Sequence, residues 1–344
     1  MTMFFAFFGK RLFPVLLLLF VLAGSLGAQT AIIPPAGGTG DFFREVKPLF
    51  PAAFFTDFIN ARELAEAGKP YWAASEGELK AQAASLPRES ILLNSDILAF
   101  YGHPRSRNMG ILGRYTKDEL NEKLTALASE YREAGGRNVF KAFYIIFGTV
   151  WPEGKIGIID EALLREYVEF GLKNDILIFI DHQIGRYTPA EGLTRMLPWL
   201  KYPNVHLALD PEWRTTKPME EIGTVTADEI NQVQRIMENY MIENHIAGER
   251  LLVIHQFNWR MISSREKVLS NFPKVRLVHC ADGFGPPSMK KSSYAYNSQA
   301  ANIPVKAFKL FYNFNIPGAG FDNPLMAPKD VYELNPRPYI VMYQ

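Results

Sequence analysis

The sequence predicts a (β/α)8 barrel, a closed ring of eight parallel strands surrounded by helices, over residues 91–344. Eight short apolar runs suggest the strands, and most of these runs finish on a polar or ionisable residue. The stretches between them are long enough for helices. In such a barrel the active site lies at the C-terminal strand ends. The runs cover residues 97–103, 139–149, 176–182, 205–212, 251–256, 275–282, 307–313 and 339–344.

The N-terminus carries an export signal. Lys10 and Arg11 precede an apolar run, residues 12–22, that is shorter than a membrane-spanning helix, and small residues follow it. We therefore predict a signal peptide over 1–28 and a periplasmic or secreted protein with no stable membrane insertion after cleavage. An uncleaved N-terminal anchor is the alternative.

Residues 29–90 are predicted to form a linker and an N-terminal helical extension. The linker, 29–40, is rich in proline and glycine. Two helices are expected near 55–67 and 76–85, and the density of aromatic residues around them predicts packing against the bottom or side of the barrel. Forming part of the active-site wall is the alternative.

Charge and motifs exclude several function classes. Without residues 1–28, the 37 basic residues fall by two to 35, against 36 acidic residues. A chain this balanced lacks the field that attracts nucleic acid. The sequence has no phosphate-binding glycine loop and no serine-hydrolase elbow. Its single cysteine, Cys280, allows no intramolecular disulfide and is expected to be a buried apolar residue.

The helix predictions depend on capping patterns. Thr116 and Thr226 each precede a glutamate by three residues, which predicts helices that begin there and end near a glycine. Further helices are expected over 160–171 and 189–200, a short one over 263–271, and one or two turns near 328–333.

The fourth strand carries the strongest chemical signal. Asp210 and Glu212 lie two residues apart, so both side chains leave the same face of the strand. Two neighbouring carboxylates raise the pKa of one of them, as a general acid at neutral pH requires. We predict Glu212 as the acid and Asp210 as its electrostatic partner. The alternative is structural, with Asp210 capping the next loop and Glu212 paired to Arg214 or Lys309.

A second carboxylate is expected from Asp181 or Asp282, as nucleophile or base. Adjacent residues leave opposite faces of a strand, so only one of Asp181 and His182 points inward. The same holds for His255 and Gln256, whose register the sequence does not determine.

A metal site is the main competing hypothesis. His103, His182, His255 and Asp282 all follow strands and together could ligate a divalent ion. No close histidine spacing supports a tight site. We therefore predict no cofactor, and keep a metal-dependent hydrolase or phosphodiesterase as the alternative.

The placement of aromatic residues favours a carbohydrate partner. Flat apolar faces beside polar groups suit sugar rings, although the same tryptophans could simply pack loops onto the barrel. Lys309 is expected to point inward, where it forms an ion pair with Glu212 or Asp210 or, as the alternative, a Schiff base. The predicted substrate-binding residues are His103, His182, His255, Gln256, Trp151, Trp213, Trp259, Tyr312, Asn313 and Lys309.

Two resemblances accompany these observations. Asp210-Pro-Glu212-Trp213 resembles the end of the chitinase signature, which implies Glu212 as the acid and Asp210 as the residue that orients a substrate acetamido group. Val205 and Ala208 stand where that family has two further aspartates. The segments 100–104, 209–213, 255–257 and 279–285 resemble a group of secreted bacterial barrel proteins. That resemblance implies export and a barrel but no activity.

The sequence as a whole predicts an exported hydrolase that cleaves glycosidic bonds. The alternatives are the metal-dependent hydrolase or phosphodiesterase and a non-catalytic barrel that binds a cell-envelope glycan.

Overall fold

The computed structural model describes residues 90–93, 95–135, 137–151, 153–218, 220–317 and 319–344. The predicted signal peptide, linker and N-terminal helices lie outside these residues, apart from Ser90 at the very end of the extension. Within the described residues, no helix combines the length and apolarity needed to cross a membrane.

Eight parallel strands form a closed barrel, as predicted. Each strand pairs with the next, and the last returns to the first, where Ile97 lies opposite Ile340. Every strand coincides with one of the apolar runs, because strands buried on both faces are apolar throughout. The strands are β1 Ser95–Gly102, β2 Asn138–Val150, β3 Ile176–Gln183, β4 Val205–Asp210, β5 Arg250–His255, β6 Val275–Ala281, β7 Lys306–Leu310 and β8 Ile340–Tyr343.

Helices cover most of the outer face of the barrel. Thr226 forms the capping box that the sequence predicts, and Thr116 exchanges the corresponding hydrogen bonds with Glu119. The turn expected near 328–333 is a short helix. The helices are α1 Lys117–Gly135, α2 Glu161–Asn174, α3 Pro189–Met196, α4 Ala227–Glu243, α5 Pro287–Ser298 and α6 Pro328–Tyr332.

Short strands and 3-10 helices lie in the connections between the barrel strands and the helices. A strand at Ile156–Ile158 pairs with the end of β2, and Val225–Thr226 pairs with Ile262–Ser263 in a separate two-stranded sheet. The 3-10 helices are Ile91–Leu93, Leu197–Lys201, Pro211–Trp213, Trp259–Met261 and Arg265–Lys267.

The crossover between β5 and β6 contains no α-helix. The short helix predicted over 263–271 is wrong, since only the 3-10 turn Arg265–Lys267 forms there. Side-chain amides from neighbouring elements form hydrogen bonds with the backbone of this crossover instead. Asn231 bonds both the carbonyl of Lys267 and the N–H of Leu269, and Asn302 bonds two further carbonyls. The helix layer therefore has a gap at this crossover.

Two apolar cores lie on the two faces of the barrel wall. One fills the interior with residues such as Ala142, Phe179 and Val253, and the other lies between the strands and the helices. Successive residues of a strand alternate between these cores. This alternation decides which strand-end side chain reaches the interior.

Candidate active site

Five buried ionisable side chains meet inside the barrel at the C-terminal strand ends. Each has the inward register of its strand or directly follows that strand. We call them the inward cluster: Asp181, Asp210, His255, Asp282 and Lys309.

His255 lies at the centre of the inward cluster. Its Nδ1 is 3.1 Å from Oδ2 of Asp282, and its Nε2 is 2.7 Å from the hydroxyl of Tyr144. Oδ2 of Asp181 lies 3.7 Å from the same Nε2 and accepts a hydrogen bond from Tyr101 at 3.1 Å. The imidazole therefore lies between two carboxylates that belong to different strands.

Lys309 brings a second cation to the cluster. Its Nζ is 4.0 Å from Oδ2 of Asp282 and 3.8 Å from the centre of the Tyr101 ring. The acid at ion-pair distance is thus Asp282, rather than Glu212 or Asp210 as the sequence suggested. Asp282 is held by an imidazole and an amine together.

These contacts separate the pKa values of the central pair. Burial opposes a charge on His255, but the Cys280 sulfur, Asp181 and Asp282 raise the pKa of His255 well above its ordinary value. Burial alone would raise the pKa of Asp282, yet His255 and Lys309 hold it below its ordinary value. Both shifts favour the charged forms of this pair, an imidazolium and a carboxylate.

The other acids behave in the opposite way. Burial raises the pKa of Asp181 more than His255 and Lys309 lower it. Burial, reinforced by the charges of Asp181 and Asp282, raises the pKa of Asp210 to about 7. One cluster thus contains an acid whose charged form is favoured and acids whose neutral forms are favoured.

Glu212 lies just beyond the inward cluster, in the 3-10 turn Pro211–Trp213, and its side chain is half-buried. Burial, then Asp210 and Asp282, raise its pKa well above the ordinary value for glutamate. The cation expected as its structural partner, Arg214, pairs instead with Glu229 at 3.0 Å. Glu212 is therefore an acid whose neutral form is favoured at the mouth of the barrel.

Three carboxylate oxygens of the cluster lack partners. Oδ1 of Asp181, Asp210 and Asp282 are all buried, and none has a hydrogen-bond partner among the described residues. Buried polar atoms in folded proteins nearly always have one. These oxygens are available to bind hydroxyl groups of a substrate or water.

A buried ion pair fixes two loops beside the cluster. Nζ of Lys290 lies 3.5 Å from Asp322 and donates to the carbonyls of Gly283 and Lys309. Asp322 in turn accepts from the N–H of Gly285 at 2.9 Å. Because Gly283 follows Asp282 directly, this pair holds the loops after β6 and β7, and with them Asp282 and Lys309.

The predicted tryptophans occupy different environments. Trp213, 7% exposed, packs with Val150 and the half-buried Trp151 beside the turn that carries Glu212. Trp259 is 51% exposed on the loop after β5. Two of the three tryptophans therefore pack loops, and the third is open to solvent.

Several predicted site residues lie outside the inward cluster. The ring of His182 packs against Gly148 and α3 in the helix layer, because its neighbour Asp181 has the inward register. Gln256 likewise points outward and accepts from His279 and Arg265. Each pair of adjacent candidates thus contributes one residue to the interior.

His103 and the loop after β7 are peripheral. Nδ1 of His103 accepts the N–H of Arg105, and burial lowers its pKa to about 4. Tyr312 stacks on Tyr343, and Asn313 is exposed and accepts the N–H of Asn315. Among the described residues, no group of three or more histidine, cysteine or acidic side chains is arranged to hold a metal ion.

Sequence reasoning missed the two tyrosines and the Lys290–Asp322 pair. Tyr101 and Tyr144 lie opposite each other in the register of β1 and β2 and place both hydroxyls in the site. The signal for Tyr101 is its position two residues before His103, in the inward register. Tyr144 lies mid-strand and Asp322 in an irregular loop, so only the assembled barrel identifies them.

No protein-family model matches the sequence, and no curated protein matches it significantly. The fold is similar to a chitinase from Chromobacterium violaceum, at 11% identity and a TM-score of 0.39 over 70% of this chain and 76% of that chain. It is also similar to a family 18 chitinase from Crocus vernus, at 8% identity and a TM-score of 0.37 over 72% of this chain and 92% of that chain. A third similar structure is GH26C from a Muricauda species, at 9% identity and a TM-score of 0.38 over 73% of this chain and 79% of that chain.

Proposed function

We propose that the protein is an exported hydrolase that cleaves glycosidic bonds in a carbohydrate, such as a cell-envelope glycan. One observation carries this proposal: the pKa of Glu212 is raised beside a buried cluster in which the pKa of Asp282 is lowered. Glycoside hydrolysis needs such a pair, one carboxyl group to protonate the leaving oxygen and one carboxylate to attack or to activate water.

Glu212 is the general acid in this mechanism. Its half-buried position at the barrel mouth lets it reach a substrate, while burial and the negative charge of Asp210 favour its neutral form. Among the described residues, no basic side chain forms an ion pair with it. Its proton is therefore available for the glycosidic oxygen.

Asp282 is the second carboxylate. His255 and Lys309 both hold its Oδ2, whereas its Oδ1 has no hydrogen-bond partner among the described residues. The free oxygen attacks the anomeric carbon or takes a proton from water. Proton NMR of the first product distinguishes these roles, since a nucleophile gives retention and a base gives inversion.

An N-acetylated sugar is a second candidate substrate, because Asp210, whose Oδ1 has no partner among the described residues, lies two residues before the acid in sequence. The resemblance to chitinases implies that this residue orients the acetamido group, which then replaces Asp282 as nucleophile. Faster cleavage of an aryl N-acetylglucosaminide than of the matching glucoside supports this candidate. Equal rates contradict it.

The metal-dependent alternative is less well supported by the geometry. It requires His103, His182 and His255 to converge, yet His182 packs in the helix layer and His103 is bound within its own loop. Chelator-sensitive cleavage of a phosphodiester would favour it over the glycosidase.

The substitution Glu212→Gln tests the proposal. It preserves the shape of the side chain but removes the proton, so kcat on an unactivated glycan should fall roughly 10²–10⁴-fold with much of the affinity retained. A substrate with a good leaving group should recover much of the loss, because it needs little protonation. Glu221→Gln, an exposed change in the same loop, is the control and should leave kcat unchanged.

The outcomes separate enzyme from binder. A non-catalytic barrel would show no turnover in the wild type, and Glu212→Gln would alter affinity alone. If both proteins cleave the unactivated glycan equally fast, the acid is not Glu212, and Asp181, whose pKa is also raised, becomes the candidate.

A further inference from the structure

A groove lies between the crossover that follows β5 and the C-terminal end of α5. Its volume is about 630 Å³, within the range of small-molecule binding sites. Its lining includes Trp259, Arg260, Ser263, Tyr296 and Asn302. The crossover from β5 to β6, which supplies one side of the groove, forms no α-helix and takes hydrogen bonds from side-chain amides.

Trp259 gives the groove an aromatic surface that is held in place. Oδ1 of Asn258 accepts the N–H of Arg260 at 3.0 Å, and Gln256 donates to the Asn258 carbonyl at 3.2 Å. Met261, at the end of the same turn, is fully buried. The backbone that carries the indole is thus anchored on both sides, although the indole itself is 51% exposed.

Polar groups surround this indole. The guanidinium of Arg260 lies 5.3 Å from the Trp259 ring and is exposed, as is Ser263. Arg265 lies 4.1 Å from the Tyr296 ring in the same lining. Aromatic faces with hydrogen-bond donors at their edges match sugar rings, which have apolar faces and hydroxylated rims.

The groove is continuous with the loop that carries the candidate acid. The two-stranded sheet of Val225–Thr226 and Ile262–Ser263 joins the groove wall to the connection that contains Glu212. Gln256, which fixes the Trp259 turn, directly follows His255 of the inward cluster. The turn that carries Trp259 therefore starts from the strand end at which His255 lies.

We infer that this groove is an accessory binding site for the polysaccharide cleaved at the barrel mouth, with Trp259 stacking on a sugar ring. The inference rests on the proposed function. The groove retains a distant stretch of the polymer while another stretch occupies the inward cluster. Short substrates do not reach both places.

The substitution Trp259→Ala tests this site. We would assay wild type and variant on glycol chitin, xylan, carboxymethyl cellulose and polygalacturonate, and on a trisaccharide of the polymer that is cleaved. The variant should lose roughly tenfold in kcat/KM on the polymer, about 1.4 kcal/mol, through KM alone. On the trisaccharide it should equal the wild type. Ile242→Ala, a 53% exposed position on α4, is the control.

Equal activity of Trp259→Ala and wild type on the polymer would overturn the inference and leave the hydrolase proposal intact. If no polymer is cleaved, the proposed function fails, and electrophoresis through gels containing the same polymers tests the groove alone. Retardation that Trp259→Ala loses and Ile242→Ala keeps supports a glycan site. Absence of retardation in every gel overturns it and points to another occupant, such as a peptide.

Discussion

Two polar clusters lie on opposite faces of the same barrel strands. The inward cluster contains Asp181, Asp210, His255, Asp282 and Lys309. The outward cluster, between the wall and α5, contains Gln256, Arg265, His279 and Lys306. His255 and Gln256 are adjacent in sequence, yet His255 belongs to the inward cluster and Gln256 to the outward cluster.

The outward cluster is paired. Oε1 of Gln256 accepts from His279 at 2.8 Å and from Arg265 at 3.1 Å. Nζ of Lys306 donates to the carbonyls of Asn297 and Ala300 near the C-terminal end of α5. These contacts satisfy orphan carbonyls at a helix end, which is a structural role.

The inward cluster differs because three of its carboxylate oxygens remain without partners and its acids have divergent pKa values. Unpaired buried polar groups reduce stability. In the proposed function, a substrate supplies the missing hydrogen bonds. The contrast teaches that two buried polar clusters on adjacent residues differ in pairing, since only the inward cluster has carboxylate oxygens without partners among the described residues.

The largest expected effect is on catalysis and belongs to Asp282→Asn. The amide is neither base nor nucleophile, so kcat/KM should fall at least 10²-fold. In the wild type, kcat/KM should fall as pH drops through the low pKa of Asp282, and fall again as pH rises through the raised pKa of Glu212. Asp330→Asn on α6 is the control. Wild-type rates in Asp282→Asn would remove Asp282 from the mechanism.

A second effect concerns the pH dependence of stability. The pKa of Asp210 rises from 3.8 to about 7 on folding, so the native state keeps a proton that the unfolded state loses. This stabilisation is complete below pH 3.8 and is lost as pH rises towards 7, on the order of 4 kcal/mol.

Asp210→Asn should remove this dependence. Urea unfolding at several pH values should give a smaller fall in stability between acid and neutral pH for the variant than for the wild type. Asp330→Asn should keep the wild-type slope. An unchanged slope in Asp210→Asn would show that Asp210 does not retain its proton on folding.

The smallest effect belongs to the outward cluster. Lys306→Met leaves the carbonyls of Asn297 and Ala300 without their donor. The free energy of unfolding should fall by about 1–3 kcal/mol, with kcat and its pH profile unchanged. Lys291→Met, an exposed change on α5, should alter neither the stability nor the pH profile. A shifted pH profile in Lys306→Met would break the distinction between the two clusters.

The strands and the closure of the barrel could be predicted because their apolar runs are visible without any partner. The sequence could not predict which member of Asp181-His182 or of His255-Gln256 points inward, since a register change of one residue exchanges the two faces of a strand. Nor could the sequence predict that the crossover after β5 lacks an α-helix, because its backbone is bonded by the amides of Asn231 and Asn302 from distant elements. Long-range contacts decide both features.

The sequence indicated the closeness of Asp210 and Glu212, and the charge of Asp210 raises the pKa of Glu212. The expectation that both lie on one strand face is wrong, because the strand ends at Asp210 and Glu212 lies in the following 3-10 turn. The pairing of Asp282 with His255 and Lys309 depends on three strands meeting. It therefore required the assembled barrel.

The protonation state of Glu212 at neutral pH tests the central claim most directly. Infrared difference spectra between the wild type and Glu212→Gln, recorded over a range of pH, report whether the missing group is a carboxylic acid or a carboxylate. We predict a carboxylic acid at neutral pH that ionises at the same pH at which kcat/KM declines on the basic side. A carboxylate throughout the range in which the enzyme is active would contradict the account.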